Sequence, residues 1–325
     1  MGEPAGISAE ITLKVWKKYK NKLEPFVFFG DPDHMNKTSL NLNYKIPIKI
    51  IKNINESLNI FKNYLPVYKI NLNKKVSNGK PSTKNNSKVL YSIKKVVDFA
   101  FKKKISSIVT NPIEKNIINK KNKKFSGHTF YIANLLSIKK PVMLLTSPKI
   151  SVVPITQHIS LSKAIKSINK EIIISTTKIT NEYLKTYFGI KKPKIAIAGL
   201  NPHAGEDGSF GKEEQRIIIP AIKKIKKKRI DVSGPYPADT VFNLNLLKKF
   251  NVIICMYHDQ ATMPIKIIDF DNGVNLTLGL PIIRTSPDHG TALNISGKNK
   301  ASEKSLYSAI KLSQKIAKKK KFWIQ

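Results

Sequence analysis

The stretch 194–211, KIAIAGLNPHAGEDGSFG, constrains this chain more than any other. Ile195, Ala196, Ile197 and Ala198 form an apolar run long enough for a buried strand. Gly199, Pro202, Gly205, Gly208 and Gly211 then break it into a turning loop that carries His203 and Glu206, and a helix is predicted over 212–221. The pattern recurs twice. Residues 151–155 deliver Gln157 and His158 into a loop ahead of a helix over 161–168, and residues 252–256 end at Tyr257, His258, Asp259 and Gln260. Short apolar runs alternating with helical stretches imply an α/β class. In open α/β sheets, ligands bind on loops that leave the carboxyl ends of strands. Three of the six histidines stand just beyond such strands. Three imidazoles leaving one coordination position open suit a catalytic divalent metal. Independent loop histidines, each with its own hydrogen bond, are the plainer alternative.

With 325 residues, 41% of them hydrophobic, the chain has material for two domains or one large α/β unit. A formal charge of +37 raises a basic nucleic-acid-binding protein as an alternative of another class. The positive residues argue against it. All are lysines except Arg216, Arg229 and Arg284, they are spread along the whole chain, and Asn and Ile are abundant beside them, as A/T-rich codons would produce. Interleaved aromatics, RGG repeats and zinc-knuckle spacings are missing. Cys255 is the one cysteine, so no internal disulfide forms; this fits a reducing cytoplasm and a small core residue rather than a nucleophile. No apolar run approaches the ~20 residues that span a bilayer.

Residues 9–19 read as a helix with Ser8 as N-cap, 25–29 as a buried strand, and 36–88 as short strands and loops. Helical spacing recurs over 87–103, a strand follows over 105–110, and short helices are expected over 244–250 and 302–318, the basic tail beyond being solvated. Phe125 to Thr129, FSGHT, opens a helix at His128. Its terminal amides beside the Thr129 hydroxyl suit a phosphate, although on spacing alone a simple Thr cap is the favoured reading.

Polar specificity then concentrates. His258, Asp259 and Gln260 are followed by Lys266, Asn275, Arg284, Asp288 and His289. In so lysine-rich a chain, Arg284 suggests a planar fork for carboxylate or phosphate, with a structural ion pair as the alternative. Gly290 would let backbone approach a ligand closely. No GxGxxG follows a predicted strand, so the Rossmann fingerprint is absent.

GEPAGISAE, TNPIEK, FSGHT, TQH, GLNPHAGEDGSFGKEE, GPYPADT, MYHDQ and LGLPIIRTSPDHGTAL stand in that order from Gly2 to Gly297. Together they resemble the 4-hydroxythreonine-4-phosphate dehydrogenase family of pyridoxal 5′-phosphate biosynthesis. The resemblance implies two α/β/α domains like those of isocitrate and isopropylmalate dehydrogenases, with the active site in a cleft and completed by the second subunit of a homodimer. Residues 1–127 plus 292–325 would form an outer domain and 128–291 a metal-binding, dimerising one. It implies a divalent ion (zinc, magnesium or cobalt) on His158, His203 and His258. Substrate contacts would fall on His128, Thr129, Lys266, Asn275 and Arg284, and contacts to NAD or NADP on Gly290, Thr291 and Asn294. Asp239 would be the base and Asp259 a support for the metal-bound imidazoles. The implied reaction oxidises 4-phosphohydroxy-L-threonine to a β-keto acid, which loses carbon dioxide to give 3-amino-2-oxopropyl phosphate. A sister dehydrogenase acting on 4-phospho-threonate or 4-phospho-erythronate is the nearest rival. The chain departs from the family pattern in four places. It starts at Met1, where a strand usually precedes the first turn, implying an upstream start or a lost strand. Ser8-Ala9 stands for Gly-Pro, Glu114 for Asn or His, and Ala261 for Gly.

Overall fold

Apolar runs bounded by Gly and Pro become strands here, and the helices between them cover the sheet faces. The structure, a computed structural model, describes residues 1–120 and 125–319. The chain divides into two compact units, Met1–Lys139 with Leu280–Gln325, and Lys140–Gly279.

The first unit opens with α1 (Ser8–Tyr19), buried from Ser8 to Trp16. Its N-cap is Ile7 and no side chain caps it, so the expectation for Ser8 is corrected: that hydroxyl lies 3.4 Å from the Pro112 carbonyl instead. Burying Lys14 inside this unit requires partners. It has Glu10 at 2.8 Å and the carbonyls of Asn299 and Ala301 at 3.1 and 2.7 Å. Then come β1 (Phe28–Gly30), α2 (Pro32–Asn41), β2 (Ile48–Ile51), α3 (Glu56–Ile60) and β3 (Leu65–Lys69), the strands forming a parallel sheet in the order β1-β3-β2. The helix α2 was not expected in that stretch. It is nucleated by Asp31, whose Oδ1 accepts the N–H groups of Asp33 and His34 at 2.9 and 3.0 Å, with Pro32 in its first turn. After α4 (Asn86–Phe101), β4 (Ile108–Val109) is shorter than the predicted strand, and α5 (Lys115–Asn119) and α6 (His128–Leu135) follow. A cavity of about 850 Å³ is lined by β1, β4 and the apolar residues Ile93, Val96, Leu306 and Ile310. Beside it the Met1 amine donates to the Phe29 carbonyl at 2.7 Å, and burial lowers that amine to about 5.

The second unit contains β5 (Val142–Thr146), β6 (Ser151–Pro154), α7 (Leu161–Ser167), α8 (Lys170–Phe188), β7 (Ile195–Ala198), α9 (Ile219–Lys226), β8 (Val232–Tyr236), α10 (Ala238–Val241), α11 (Leu244–Leu247), β9 (Val252–Cys255), α12 (His258–Asp269) and β10 (Val274–Leu278). Its strands run β10-β5-β6-β9-β7-β8. β5 is antiparallel to both neighbours, whereas β6, β9, β7 and β8 are mutually parallel. Every residue of β7 and β9 is buried, as parallel strands covered on both faces require. The helix predicted over 212–221 forms differently. A π turn, Glu214–Ile218, comes first, and α9 then runs past Pro220, which is tolerated in a first turn. Cys255 lies at the centre of this unit's core, fully buried, with its thiol pushed far up by burial; it is a packing residue.

The chain then returns to the first unit through β11 (Arg284–Pro287) and α13 (Lys304–Lys319). β11 pairs with β4, and the Thr285 hydroxyl donates to the Ala309 carbonyl of α13 at 2.9 Å. These bonds correct the expected boundaries. Residues 128–139 and 280–291 belong to the first unit because their ladder and core partners lie there. The tail beyond Lys319 lies outside the described residues.

Candidate active site

The first unit holds a candidate anion-binding set. Arg284 begins β11 and is 3% exposed. Its Nε and Nη2 donate to the Thr110 hydroxyl at 3.2 and 2.7 Å, and Nη1 to that of Thr129 at 3.5 Å. A planar fork reaches two hydroxyls in two directions, which a lysine ammonium on one stem does not reproduce. Burial lowers the guanidinium to about 10, leaving it charged at neutral pH.

His128 is the first residue of α6, after Gly127 at φ 100°. A Cβ on Gly127 would lie 2.9 Å from Cε of Lys115, so glycine lets the Lys115 stem pack across the helix start. His128 Nε2 is buried and has no hydrogen-bond partner. Burial first, then the charges of Arg284, the Met1 amine and Lys115, hold its pKa well below the usual value. A neutral imidazole with an unused nitrogen, among cations at a helix N-terminus, is what a phosphate dianion would complete. Thr110 and Lys115 are not singled out by the sequence, although both lie in TNPIEK, one of the motifs that carry the resemblance.

Nearby in the chain fold of this unit, the Thr291 hydroxyl donates to Glu114 Oε2 at 3.1 Å. Thr291 can therefore offer a ligand only an acceptor. Gly290 and Asn294 are exposed, and a Cβ built on Gly290 would meet nothing within 4 Å. Within the chain, then, nothing crowds Gly290, and an open strip of backbone is left for a ligand. Glu3 is raised above the usual carboxylate range by burial, with the charge of Glu114 adding to it. His289 donates from Nδ1 to the Gly290 carbonyl at 3.0 Å, and its Nε2 is buried without a partner.

The second unit holds the histidines. Sheet order makes β6, β9 and β7 neighbours, so the three histidine-bearing carboxyl ends stand side by side. Strands pair about 4.8 Å apart, and the His158 and His258 rings, beyond adjacent strands, have centroids 5.2 Å apart. His258 is not in a loop as expected but opens α12. Asp259 Oδ1 lies 2.7 Å from His258 Nδ1, which assigns the proton to Nδ1 and leaves Nε2 to a metal.

His203 is not in this pair. Among the described residues no three His, Cys, Asp or Glu side chains are grouped to hold a metal ion. His203 is exposed and its ring packs near Phe210, centroids 5.9 Å apart. Residues His203 to Asp207 all have positive φ, from 38° to 85°, and His158 has φ 45°. Left-handed backbone costs roughly 1–2 kcal/mol per residue other than glycine, and such strain gathers at functional sites. Two imidazoles with a carboxylate behind one of them fit a divalent cation by donor chemistry, and lack at least one further ligand.

Asn275, Lys266 and Asp239 lie on other parts of the second unit's elements. Asn275 sits on β10 opposite Leu145, with its Oδ1 buried and unpartnered. Lys266 is exposed on α12, and Asp239 is exposed on α10, where its Oδ1 accepts from the Thr240 hydroxyl at 3.2 Å.

Comparison with known proteins shows the family and the fold. A family model described as pyridoxal phosphate biosynthetic protein PdxA matches residues 21–313. A 4-hydroxythreonine-4-phosphate dehydrogenase of Bradyrhizobium diazoefficiens is 40% identical over 98% of this chain and 95% of its own length. One from Zymomonas mobilis is 38% identical over 100% and 96%. The crystal structure of the enzyme of that name from Klebsiella pneumoniae superposes with a TM-score of 0.88 at 33% identity, covering 98% of this chain and 96% of that one. A terephthalate 1,2-cis-dihydrodioldehydrogenase from Burkholderia xenovorans LB400, 22% identical with a TM-score of 0.63, shares the fold.

Proposed function

The chain belongs to the PdxA family of pyridoxal phosphate biosynthetic proteins, and from that premise we propose how its residues carry out the work of a 4-hydroxythreonine-4-phosphate dehydrogenase. The observation that carries the reading is the imidazole pair of His158 and His258, 5.2 Å apart at neighbouring strand ends with Asp259 behind it. His158, His203 and His258 would hold one divalent ion (zinc, magnesium or cobalt). That ion, when bound, supplies the Lewis acidity that eases loss of the hydroxyl proton and of carbon dioxide. NAD or NADP, lying on Gly290, Thr291 and Asn294, supplies the hydride acceptor.

The chain's own groups do the rest. Arg284, fixed by Thr110 and Thr129, takes the substrate phosphate together with the α6 amides. His128 stays neutral and offers Nε2 as a hydrogen-bond donor. Lys266 and Asn275 supply a charge and an amide for the carboxylate end. Asp239 takes the hydroxyl proton as the carbon loses hydride, giving a ketone β to the carboxylate. The C–C bond to the carboxylate then breaks, carbon dioxide leaves with that carbon, and the bonding electrons return as a C–H bond on protonation. The products are 3-amino-2-oxopropyl phosphate and carbon dioxide.

The working form would be a homodimer. Met263, Ile267 and Phe270, one face of α12, are 60%, 81% and 71% exposed. So large an apolar strip on the helix that begins with His258 supports docking of a second copy, which would bring the further ligand that the pair lacks. No helix among the described residues is long and apolar enough to cross a membrane, and we place the reaction in the cytoplasm.

The test is nucleotide reduction at 340 nm (with NAD and NADP) on 4-phosphohydroxythreonine against 4-phosphothreonate, with and without EDTA. Turnover of the amino acid that EDTA abolishes is expected. Preference for 4-phosphothreonate would move the chain to the sister activity, and no turnover of either with metal present would end the dehydrogenase reading.

A further inference from the structure

The loop that carries His203 is folded around one buried carboxyl group. Glu214, 2% exposed, is the first residue of the π turn Glu214–Ile218. Its Oε1 accepts the N–H groups of Leu200 and Asn201 at 2.7 and 2.9 Å, and its Oε2 accepts Asn201 Nδ2 at 2.9 Å. Two glycines make room for it. A Cβ on Gly199 would lie 3.2 Å from Oε1, and one on Gly205 2.7 Å from Oε2. The residues just ahead of His203 are therefore tied down, and the left-handed run folds back over the carboxyl group. Gln215, next in the same turn, holds the far end, its Nε2 donating to the Asp207 carbonyl at 2.7 Å. One π turn thus grips the run His203 to Asp207 from both sides, and π turns recur where a side chain must be aimed.

The grip extends to the other histidine. Gln260, buried two residues after His258, donates from Nε2 to the Gly199 carbonyl at 2.8 Å and accepts the Met256 N–H at 2.7 Å. The root of the His203 loop is thereby bonded to the start of the helix that carries His258.

We propose that Glu214 is a positioning residue for metal binding, holding the strained His203 loop in the conformation from which the imidazole reaches the ion. This rests on the reading of His203 as a ligand. A carboxylate has enough lone pairs for all three donors, whereas a Gln amide keeps one oxygen and turns an N–H against Asn201 Nδ2. Released from the carboxylate, the left-handed residues relax toward ordinary backbone and carry the ring away.

The experiment titrates Co²⁺ into metal-free full-length protein and follows the visible d–d absorption. It uses wild type, His203→Ala, Glu214→Gln, and the core variant Ile222→Val as a control for general destabilisation. The Co²⁺ dissociation constant should rise about 10- to 100-fold in Glu214→Gln, with an altered band shape. Ile222→Val should keep the wild-type constant. An unchanged Co²⁺ affinity in Glu214→Gln, or one that falls only in step with melting temperature as in the control, overturns the proposal. Should Glu214→Gln not fold, Gln215→Ala replaces it, with a smaller loss of affinity expected and an unchanged one decisive against. Wild type that takes up no Co²⁺, or His203→Ala that binds it normally, overturns the metal reading and this inference with it. Co²⁺ uptake by wild type that is lost in His203→Ala, with Glu214→Gln unchanged, sinks the inference alone.

Discussion

Arg284 and His203 both stand at strand ends, one at the start of β11 and one beyond the end of β7, yet their surroundings are opposite. Arg284 is 3% exposed and its fork is aimed by two threonine hydroxyls whose own backbone is fixed in a ladder and a helix. His203 is exposed on left-handed backbone. The proposed anion set lies within one unit of one chain, whereas the proposed histidine set has a pair and needs a further ligand. Phosphate binding needs several donors converging on a known shape, which a rigid sheet supplies before the ligand arrives. A metal ion supplies its own organising energy, so its ligands can come from loops held in strained backbone.

The largest expected effect breaks the comparison from the metal side. His258→Ala should cost several kcal/mol of transition-state stabilisation, on the order of 10³-fold in kcat. Affinity for inorganic phosphate, measured by calorimetry, should hold. If phosphate binding falls equally, the two sets are not built separately. Next, Arg284→Lys should cost about 2–3 kcal/mol in binding of the phosphorylated substrate, roughly 30- to 150-fold, while Co²⁺ uptake is unaffected.

A smaller effect comes from pH. His128 has a folded pKa below its unfolded value of 6.5, so between the two the unfolded chain binds the extra proton. Its contribution to stability is complete above pH 6.5 and is lost as pH falls toward the folded value. Melting temperature should therefore drop on the acid side, and less steeply in His128→Gln; an equal slope would show the imidazole to be exposed. The smallest effect sharpens the strain argument. Ala204, at φ 54°, should gain up to about 1 kcal/mol on replacement by Gly, seen as a small rise in melting temperature.

Much of this was legible in the chain. β6, β7 and β9 were visible because strands buried on both faces are short unbroken apolar runs between Gly and Pro. α8 was not, since KEIIISTTKITNEYLKTYF is rich in β-branched residues and its helical signals are confined to the ends: Asn169, which accepts the Ile172 N–H, and Gly189 in the left-handed region. α2 escaped for a similar reason, its start signalled only by Asp31-Pro32. Glu214 gave no sign in sequence, because a buried carboxyl group serving backbone N–H groups looks like any surface glutamate until the loop folds over it.

By itself the sequence determined where the strands end and that His158, His203 and His258 each follow one, since periodicity and turn residues act locally. That β6, β9 and β7 lie side by side was decided by tertiary structure alone, for residues a hundred apart become neighbours only through the packing of the whole sheet. The same holds for His203, whose separation from the pair depends on a backbone conformation that no local preference of alanine, aspartate or glutamate would choose.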